Sequence, residues 1–527
     1  MLAPPNRLLF SLWAATATKS VSNAVVFAAA KALAEDISSE SSPQGGVASA
    51  GTVHSRRTVT LILAGLLAGL LLAFMDVTIV STAGPTIVSE LGGLNLYAWV
   101  FSAFLIVQVV TIPIFGKLSD LYGRKRLFLL GVVVFMAGSA LSGASRSIQE
   151  LILFRAVQGL GFGAFVPTTI AIAGDLFPPD KRGRVQGLLF SVNGVAFAIA
   201  PALGSFLTET ISWRWIFYIN LPVGVVSLIV ILSAFKESRA KQAGAFSDWL
   251  GSAALAGFLG LLMFGLFLGG TTIAWESWSE VAIFAGSALL FAAFVLAERR
   301  TREPVLPPRL FRIRNVSAAT AVNMLRAVVF FGIIAYLPLF AQAVLGGTVG
   351  DVRNVIYGFT LPLTGGILLS GAAISKIGFK KPTFIGATIV VAGLVVLTSI
   401  RPSPSLLQLI VIGIPLGFGN GMMIPATIVA FQNSVEKGEI GIASGLSTFT
   451  LYLGGAIGLS ILGAVQTGVF DSLRSSLLTP AIVRDALSQS ILLLFWIFLG
   501  VSLLTLATTL LMKQVRTERG PVERPNA

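Results

Sequence analysis

The sequence contains no cysteine and only one histidine, His54. Disulfide bonds, thiolate chemistry and metal sites built from cysteine or histidine are therefore excluded. Charged residues are also scarce: they make up 11% of the 527 residues, whereas 55% are hydrophobic and the mean hydropathy is +0.87. Because soluble domains carry about 25% charged residues, this composition predicts a protein that lies largely within a membrane.

Long apolar segments make up most of the chain after residue 58. Segments of about 20 residues, enough to cross a hydrocarbon core of roughly 30 Å, are predicted at fourteen places. They cover residues 59–82, 96–116, 127–144, 151–174, 186–207, 216–235, 249–269, 280–297, 316–342, 355–375, 383–400, 406–430, 441–465 and 489–512. A helical protein of another class would not repeat this pattern so often, so we predict an all-α, multi-pass membrane protein.

The net charge of +14 is explained by the positions of the basic residues. If the N-terminus is placed inside the cell, most of the 37 lysines and arginines fall in the two tails and the even-numbered loops. Cytoplasmic loops carry this excess of positive charge. The pattern predicts that both termini are cytoplasmic and that the protein lies in the cytoplasmic membrane, and it requires no nucleic acid as a partner.

Polar segments divide the fourteen spans into groups of six, two and six. The first residues include "EDISSESSPQGG", which is expected to be disordered, and a cleaved signal peptide there would conflict with the charge pattern. The predicted units are an N-terminal extension (1–57), a six-helix half (58–237), a linker with a two-helix hairpin (238–298), a basic cytoplasmic loop (299–315), a second six-helix half (316–512) and a cytoplasmic tail (513–527).

The two six-span blocks contain related loops between their second and third spans. The first reads "GKLSDLYGRKR" (116–126) and the second "SKIGFKKP" (375–382), and both are short, basic and glycine-containing. Duplicated halves imply a pseudo-twofold axis along the membrane normal. A binding site is then expected between the halves, near the midplane.

The first of these loops resembles the loop signature of the major facilitator superfamily, with Gly116, Asp120, Gly123, Arg124 and Lys125 in place. The glycines allow two helices to turn back tightly, and Asp120 can accept hydrogen bonds from the arginines or from a helix N-terminus. The resemblance implies a conformational latch at this loop. A loop that is merely basic is the alternative.

The fourth and fifth spans also resemble motifs of this superfamily. In "LILFRAVQGLGFGAFVP", Arg155 lies inside an apolar run, where an arginine costs about 2.5 to 3.5 kcal/mol and normally faces a partner or a water-filled cavity. In "SVNGVAFAIAPALGSFL", Gly194, Pro201 and Gly204 resemble the packing motif of the fifth helix in exporters. A structural arginine and an ordinary small-residue packing face are the respective alternatives.

Further segments extend the resemblance to one family within the superfamily. They include "MDVTIVSTAGP" in the first span, "WRWIFYINLPVG" (213–224), "YLPLFAQAVLG" (336–346) and "GIASGLSTFTLYLGGAIG" (441–458). Together they resemble the fourteen-span drug:proton antiporters of the EmrB/QacA type, over about residues 58 to 512. The resemblance implies a major facilitator fold, export of drugs, and the proton gradient as the energy source.

Asp76 is the carboxylate in this first-span motif, and it lies past the midplane of a predicted span. Burial favours the neutral form of a carboxyl group, whereas a neighbouring arginine favours its charged form. Because the family implicates the fourth-span arginine in proton transfer, Arg155 is the expected partner of Asp76. We therefore predict that the two residues couple protons to transport. A buried aspartate with a purely structural hydrogen bond is the alternative.

The second half carries a different set of candidate residues. Arg326 lies near the middle of the ninth span, and no acidic residue is expected at membrane depth in spans nine to fourteen. Asn323, Tyr336, Gln342 and Asn420 are further candidates for the lining of the substrate cavity. The two arginines favour neutral, zwitterionic or anionic amphiphiles as substrates.

The sequence thus predicts a transporter and not an enzyme. No P-loop for ATP is present, no cofactor is expected, and the proton gradient is the expected energy source. The predicted function is export of small amphiphiles by a monomer that binds substrate, protons and the lipid bilayer. An exporter dedicated to one metabolite, lipid or siderophore, or an importer, is an alternative. A membrane sensor or scaffold without transport is the alternative from another class.

Overall fold

The computed structural model describes residues 56–176, 179–235, 249–269, 273, 276–301, 308–399, 404–435, 440–473 and 479–514. Fourteen helices account for nearly all of these residues, and we number them α1 to α14. They are Arg56–Leu91, Tyr97–Tyr122, Arg124–Ala144, Ile148–Leu176, Pro179–Thr210, Asn220–Ala234, Trp249–Leu268, Trp278–Arg300, Arg314–Leu339, Val349–Ile377, Lys380–Ser399, Leu406–Gln432, Ile440–Leu473 and Pro480–Leu510. The prediction of an all-α protein is confirmed.

Thirteen helices in the described part of the chain are long and apolar enough to cross a membrane. The fourteenth, α7, contains a shorter apolar segment at Leu250–Leu266. Predicted and observed spans differ mainly at their ends, because hydrogen bonding continues a helix beyond its apolar core: α1 runs on to Leu91. The sixth predicted span is divided into a helical turn, Trp215–Tyr218, and α6.

The helices pack as two six-helix halves with the same arrangement. In the first half, α4 packs on α2 and α3, and α1 packs on α5 and α6. In the second half, α12 packs on α10 and α11, and α9 packs on α13 and α14. The contacts between the halves are related in the same way, since α2 packs on α13 as α10 packs on α5. The remaining helices, α7 and α8, form a hairpin beside α2 and α13.

Helices α4 and α12 each contain three glycines, spaced two residues apart, where they pack closely on neighbouring helices. They are Gly159, Gly161 and Gly163 on α4, and Gly417, Gly419 and Gly421 on α12. On α4, a side chain at Gly159 would meet the backbone carbonyl of Phe104 on α2. On α12, a side chain at Gly417 would meet the backbone carbonyl of Phe359 on α10. The small residues therefore allow backbones to approach closely, which is the usual basis of helix packing in membranes.

The ends of the bundle are named from α1. The proximal end is where α1 begins, at Arg56, and the distal end is where α1 ends, at Leu91. At the proximal end, Gly123 and Gly378 have φ values of 98° and 72° and make the turns after α2 and α10. The predicted extension up to residue 55 and the loop 236–248 lie outside the described residues.

Candidate functional site

The structure pairs the two charged residues that the sequence places inside the first and fourth spans. Asp76 lies on α1 and Arg155 on α4, and Nη1 of Arg155 forms an ion pair with Oδ2 of Asp76. The two side chains are 0% and 1% exposed. At this depth neither charge can be stabilised by bulk water, so each depends on the other and on the polar groups around them.

Three neutral polar side chains surround this ion pair. Gln158, on α4, donates from Nε2 to Oδ1 of Asp76 at 2.7 Å and accepts from Nη1 of Arg155 at 2.7 Å. Asn220, at the start of α6, donates to Oδ1 of Asp76 at 3.2 Å and to Oγ of Ser139 at 2.9 Å. We call these five residues the first-half polar centre. Helices α1, α3, α4 and α6 build it.

The Arg155 guanidinium makes two further contacts, a hydrogen bond and a cation–π contact. Its Nε donates to the backbone carbonyl of Val100 at 3.2 Å, and its Cζ lies 4.3 Å from the centre of the Phe104 ring. A cation over an aromatic face gains about 0.5 to 2 kcal/mol. These contacts hold the guanidinium in one orientation toward Asp76.

A small void adjoins Arg155 on the side that faces the second half of the molecule. Its lining includes Phe101 and Phe104 from α2 and Phe331 from α9. Its volume is about 10 Å³, which is close to what one water molecule requires. The first-half polar centre is therefore buried, yet it reaches the interface between the halves.

The net charge of the first-half polar centre would change if Asp76 took up a proton. An ionised Asp76 accepts from Arg155, Gln158 and Asn220 together. A protonated Asp76 would lose the ion pair and leave Arg155 with a net buried charge, so protonation would favour a rearrangement that brings the guanidinium to a more polar environment. Such a centre can link proton binding to a change in helix packing.

The predicted latch residues lie at the proximal turn between α2 and α3. Arg124 donates to the backbone carbonyl of Ala171 on α4, and Nζ of Lys125 donates to the carbonyl of Leu232 on α6 at 2.7 Å. Gly123 makes the turn with its positive φ, and a side chain at Gly116 would meet nothing within 4 Å. The side chain of Asp120 lies outside the described part of the structure, so the latch stays a prediction.

The three predicted packing residues of α5 have different surroundings. A side chain at Gly204 would meet Thr82 and Ile79 of α1, whereas one at Gly194 would come within 3.5 Å of Thr364 on α10. Pro201 lies inside α5 between them. This helix therefore contacts both its own half and the opposite half.

Arg326, Asn323 and Asn420 lie inside the second half. Nη2 of Arg326 donates to Oδ1 of Asn323 at 2.8 Å, and Nδ2 of Asn323 donates to the carbonyl of Ser447 at 2.6 Å. Arg326 and Asn420 line one cavity together with residues of α9, α11, α12 and α14. All of its lining residues belong to the second half.

Tyr336 and Gln342 lie where the two halves meet near the distal end. Nε2 of Gln342 donates to Oγ1 of Thr86 on α1 at 3.2 Å. The Tyr336 ring packs edge-on against that of Tyr97, with ring centres 6.1 Å apart. Both residues thus join the halves in this conformation.

Two further hydrogen bonds join the halves at the same end. Oη of Tyr97 donates to the carbonyl of Ala335 at 2.6 Å, and Oγ1 of Thr467 donates to the carbonyl of Asn95 at 3.1 Å. We call these two bonds and the Gln342 bond to Thr86 the distal clasp. None of its first-half residues was predicted from the sequence.

Three members of the first-half polar centre are not predicted from the sequence: Gln158, Ser139 and Asn220. Gln158 lies three residues after Arg155, and residues at this spacing share one face of a helix, so it could have been found. Asn220 is the only amide in "WRWIFYINLPVG", but nothing in that segment indicates which helix it contacts.

This arrangement of two related six-helix halves, with charged residues buried between apolar helices, is typical of membrane transport proteins. The model of the Major Facilitator Superfamily matches residues 66–248 and 246–459. The chain belongs to this superfamily, and it is a multi-pass membrane transporter and not an enzyme.

Relatives of this chain come from bacteria and from fungi. The chain is 35% identical over 421 residues to multidrug resistance protein 3 of Bacillus subtilis, covering 80% of this chain and 82% of that one. It is 32% identical to the multidrug transporter protein MdtP of the same species, covering 80% and 78%. A solved bacterial homologue of the human lysosomal transporter Spinster, in an inward-facing and occupied conformation, shares the fold, with a TM-score of 0.59, 15% identity, and 87% and 97% coverage.

Proposed function

We propose that the protein exports drugs and other small amphiphiles across the cytoplasmic membrane in exchange for protons, as a monomer of the fourteen-span drug:proton antiporter family. Two relatives that are named for multidrug resistance or transport support the substrate class. The observation that carries proton exchange is the buried ion pair of Asp76 with Arg155. No P-loop is present in the sequence, so an ion gradient supplies the energy.

The proposed cycle uses the two halves as rocking units around a central cavity. With Asp76 ionised, the ion pair and the amides of Gln158 and Asn220 hold α1, α4 and α6 together. Protonation of Asp76 breaks the ion pair, and the position of the void beside Arg155 supports the proposal that this change acts on the interface between the halves. Each conformation then has its own affinity for the proton, which is what coupling requires.

The distal end is the outer end if the predicted orientation holds. The distal clasp then closes the outer side, and substrate reaches the proposed central cavity from the cytoplasm. Substrate binding from that side, followed by rocking and opening of the clasp, would complete export. The loop at Gly123 to Lys125, with Asp120, would hold the first half in one of its two arrangements.

The test is substrate-driven proton movement in proteoliposomes under an imposed pH gradient. Purified wild type and Asp76→Asn would be compared over a panel of cationic, neutral and anionic amphiphiles. Gradient-dependent flux in the wild type should fall at least 100-fold in Asp76→Asn. Glu209→Gln, which removes an exposed carboxylate near the distal end, is the matched control and should keep its flux.

Two results would contradict the proposal. Equal flux in the wild type and Asp76→Asn would mean that Asp76 is structural and that protons couple elsewhere. Flux of one metabolite alone, with none of the panel transported, would favour a dedicated exporter. A cooperative unfolding transition of Asp76→Asn above the assay temperature would show that lost flux does not reflect loss of the fold.

A further inference from the structure

The second half has a buried polar centre between the four helices that correspond to those around the first-half polar centre. The first-half polar centre lies between α1, α3, α4 and α6. In the second half, the corresponding helices α9, α11, α12 and α14 surround Arg326. The two centres differ in charge, because Asp76 balances Arg155 in the first half, whereas Arg326 has no carboxylate within ion-pair distance among the described residues.

The Arg326 guanidinium is buried but not fully hydrogen-bonded. Its side chain is 2% exposed, and its described hydrogen bond goes from Nη2 to Asn323. Its Nε has no hydrogen-bond partner in the described part of the protein. A buried charge without a partner is strongly unfavourable, so the position calls for a ligand that supplies negative charge.

A cavity lies beside this guanidinium. Besides Arg326, its polar lining is Asn420, Ser502 and Thr505, and these side chains are all at most 3% exposed. Oδ1 of Asn420 has no hydrogen-bond partner in the described part of the protein, and Nδ2 of Asn420 donates to the Leu416 carbonyl at 3.0 Å. The volume of about 10 Å³ holds one particle of the size of a water molecule or a small ion.

Two occupants fit this cavity, and the charge of Arg326 decides between them. A water molecule would accept from Nε and donate to Asn420. A small anion would accept from Nε and from the Ser502 hydroxyl, and it would also balance the charge. An anion would compensate the buried charge of Arg326, which a water molecule leaves without a counter-charge.

We propose that the cavity of Arg326, Asn420 and Ser502 binds a small monovalent inorganic anion such as chloride, which balances the charge of Arg326 as Asp76 balances that of Arg155 in the first half. The anion makes the second centre neutral. The Asn420 amide turns its Nδ2 toward the anion and gives up its bond to the Leu416 carbonyl. This inference goes beyond the proposed function and does not depend on which substrate is transported.

The test is thermal unfolding of the purified full chain in detergent with sodium chloride, bromide or gluconate at one ionic strength. A ligand that binds only the folded state raises the unfolding temperature as its concentration increases. The wild type should show a saturable rise with chloride and bromide relative to gluconate. Arg326→Gln should lose this rise, and Ser502→Ala should weaken the apparent affinity about tenfold.

Arg314→Gln is the matched control, because it removes an exposed arginine from the same helix and should keep the anion effect. Equal unfolding temperatures of the wild type in chloride and gluconate would overturn the proposal and leave water as the occupant. An anion effect that survives in Arg326→Gln would overturn it too, since the anion would then bind elsewhere. If Arg326→Gln does not fold, Ser502→Ala alone decides.

Discussion

The two halves of this transporter share their helix packing but not their buried chemistry. Corresponding helices pack on one another, and corresponding glycines of α4 and α12 meet backbone carbonyls of α2 and α10. The first half contains a filled centre in which Asp76 and Arg155 neutralise each other. The second contains Arg326, one neutral partner and a cavity.

This difference shows which parts of a duplicated fold are constrained. Contacts between backbones depend on glycine, and any side chain there would force helices apart, so both halves need the same residue at the same place. A polar centre needs only that its charges and hydrogen bonds balance. Several sets of side chains and ligands meet that condition, and the two halves use different ones.

The largest expected effect is from breaking the ion pair of the first half. Asp76→Ala or Arg155→Ala should lower the free energy of unfolding by about 3 to 5 kcal/mol, because each leaves one buried charge unpaired. The double variant Asp76→Leu with Arg155→Met should recover at least half of the loss. Denaturant unfolding in detergent measures this, and additive losses would refute the pairing.

Gln158→Ala should come next, with a loss of about 1.5 to 3 kcal/mol, since Gln158 makes hydrogen bonds to both charged groups. Measured in gluconate, without the proposed anion, Asn420→Ala in the second half removes only the bond to the Leu416 carbonyl, at 3.0 Å, and should cost less. The same unfolding measurement compares them. A larger loss of unfolding free energy for Asn420→Ala than for Gln158→Ala would contradict this prediction.

Substitution of corresponding glycines should destabilise the two halves to a similar extent. Gly159→Ala and Gly417→Ala should each cost about 1 to 3 kcal/mol from overpacking, with similar values for the two. Gly116→Ala meets nothing within 4 Å and serves as the control that changes little. Unequal losses at Gly159 and Gly417 would show that the packing is not equivalent in solution.

The smallest effect is expected from Arg326→Met in gluconate. Removing this charge relieves its desolvation cost but also loses the hydrogen bond to Asn323. Because the two effects oppose each other, the free energy of unfolding should change by less than about 1 kcal/mol. The matching change in the first half, Arg155→Met, should be strongly destabilising. Similar losses for the two variants would mean that Arg326 has a negatively charged partner even without the anion.

Much of the fold follows from the sequence because its signals are local. A run of about 20 apolar residues defines a span without reference to any other residue. Asp76 and Arg155 stand out for the same reason, since a charge within such a run needs a partner. The related loops at Gly123 and Gly378 indicated the duplication.

The remaining features depend on how helices are placed side by side. Ser139 and Asn220 join the first-half polar centre only because α3 and α6 pack against it, and hydropathy contains no information on that contact. Tyr336 and Gln342 were predicted to line the substrate cavity. In this conformation they lie at the distal interface, and a role in the cavity stays a prediction.

The distal clasp adds a cost to any opening of the distal end. Its three hydrogen bonds contribute about 1 kcal/mol each, or about 3 kcal/mol together, and this makes an open form roughly 100-fold rarer than it would be without the clasp. A ligand that opens this end must therefore bind the open form about 100-fold more tightly than the closed form merely to offset the clasp. The clasp therefore sets a minimum difference between a ligand's affinities for the open and closed forms. Ligands with a smaller difference would bind without being transported.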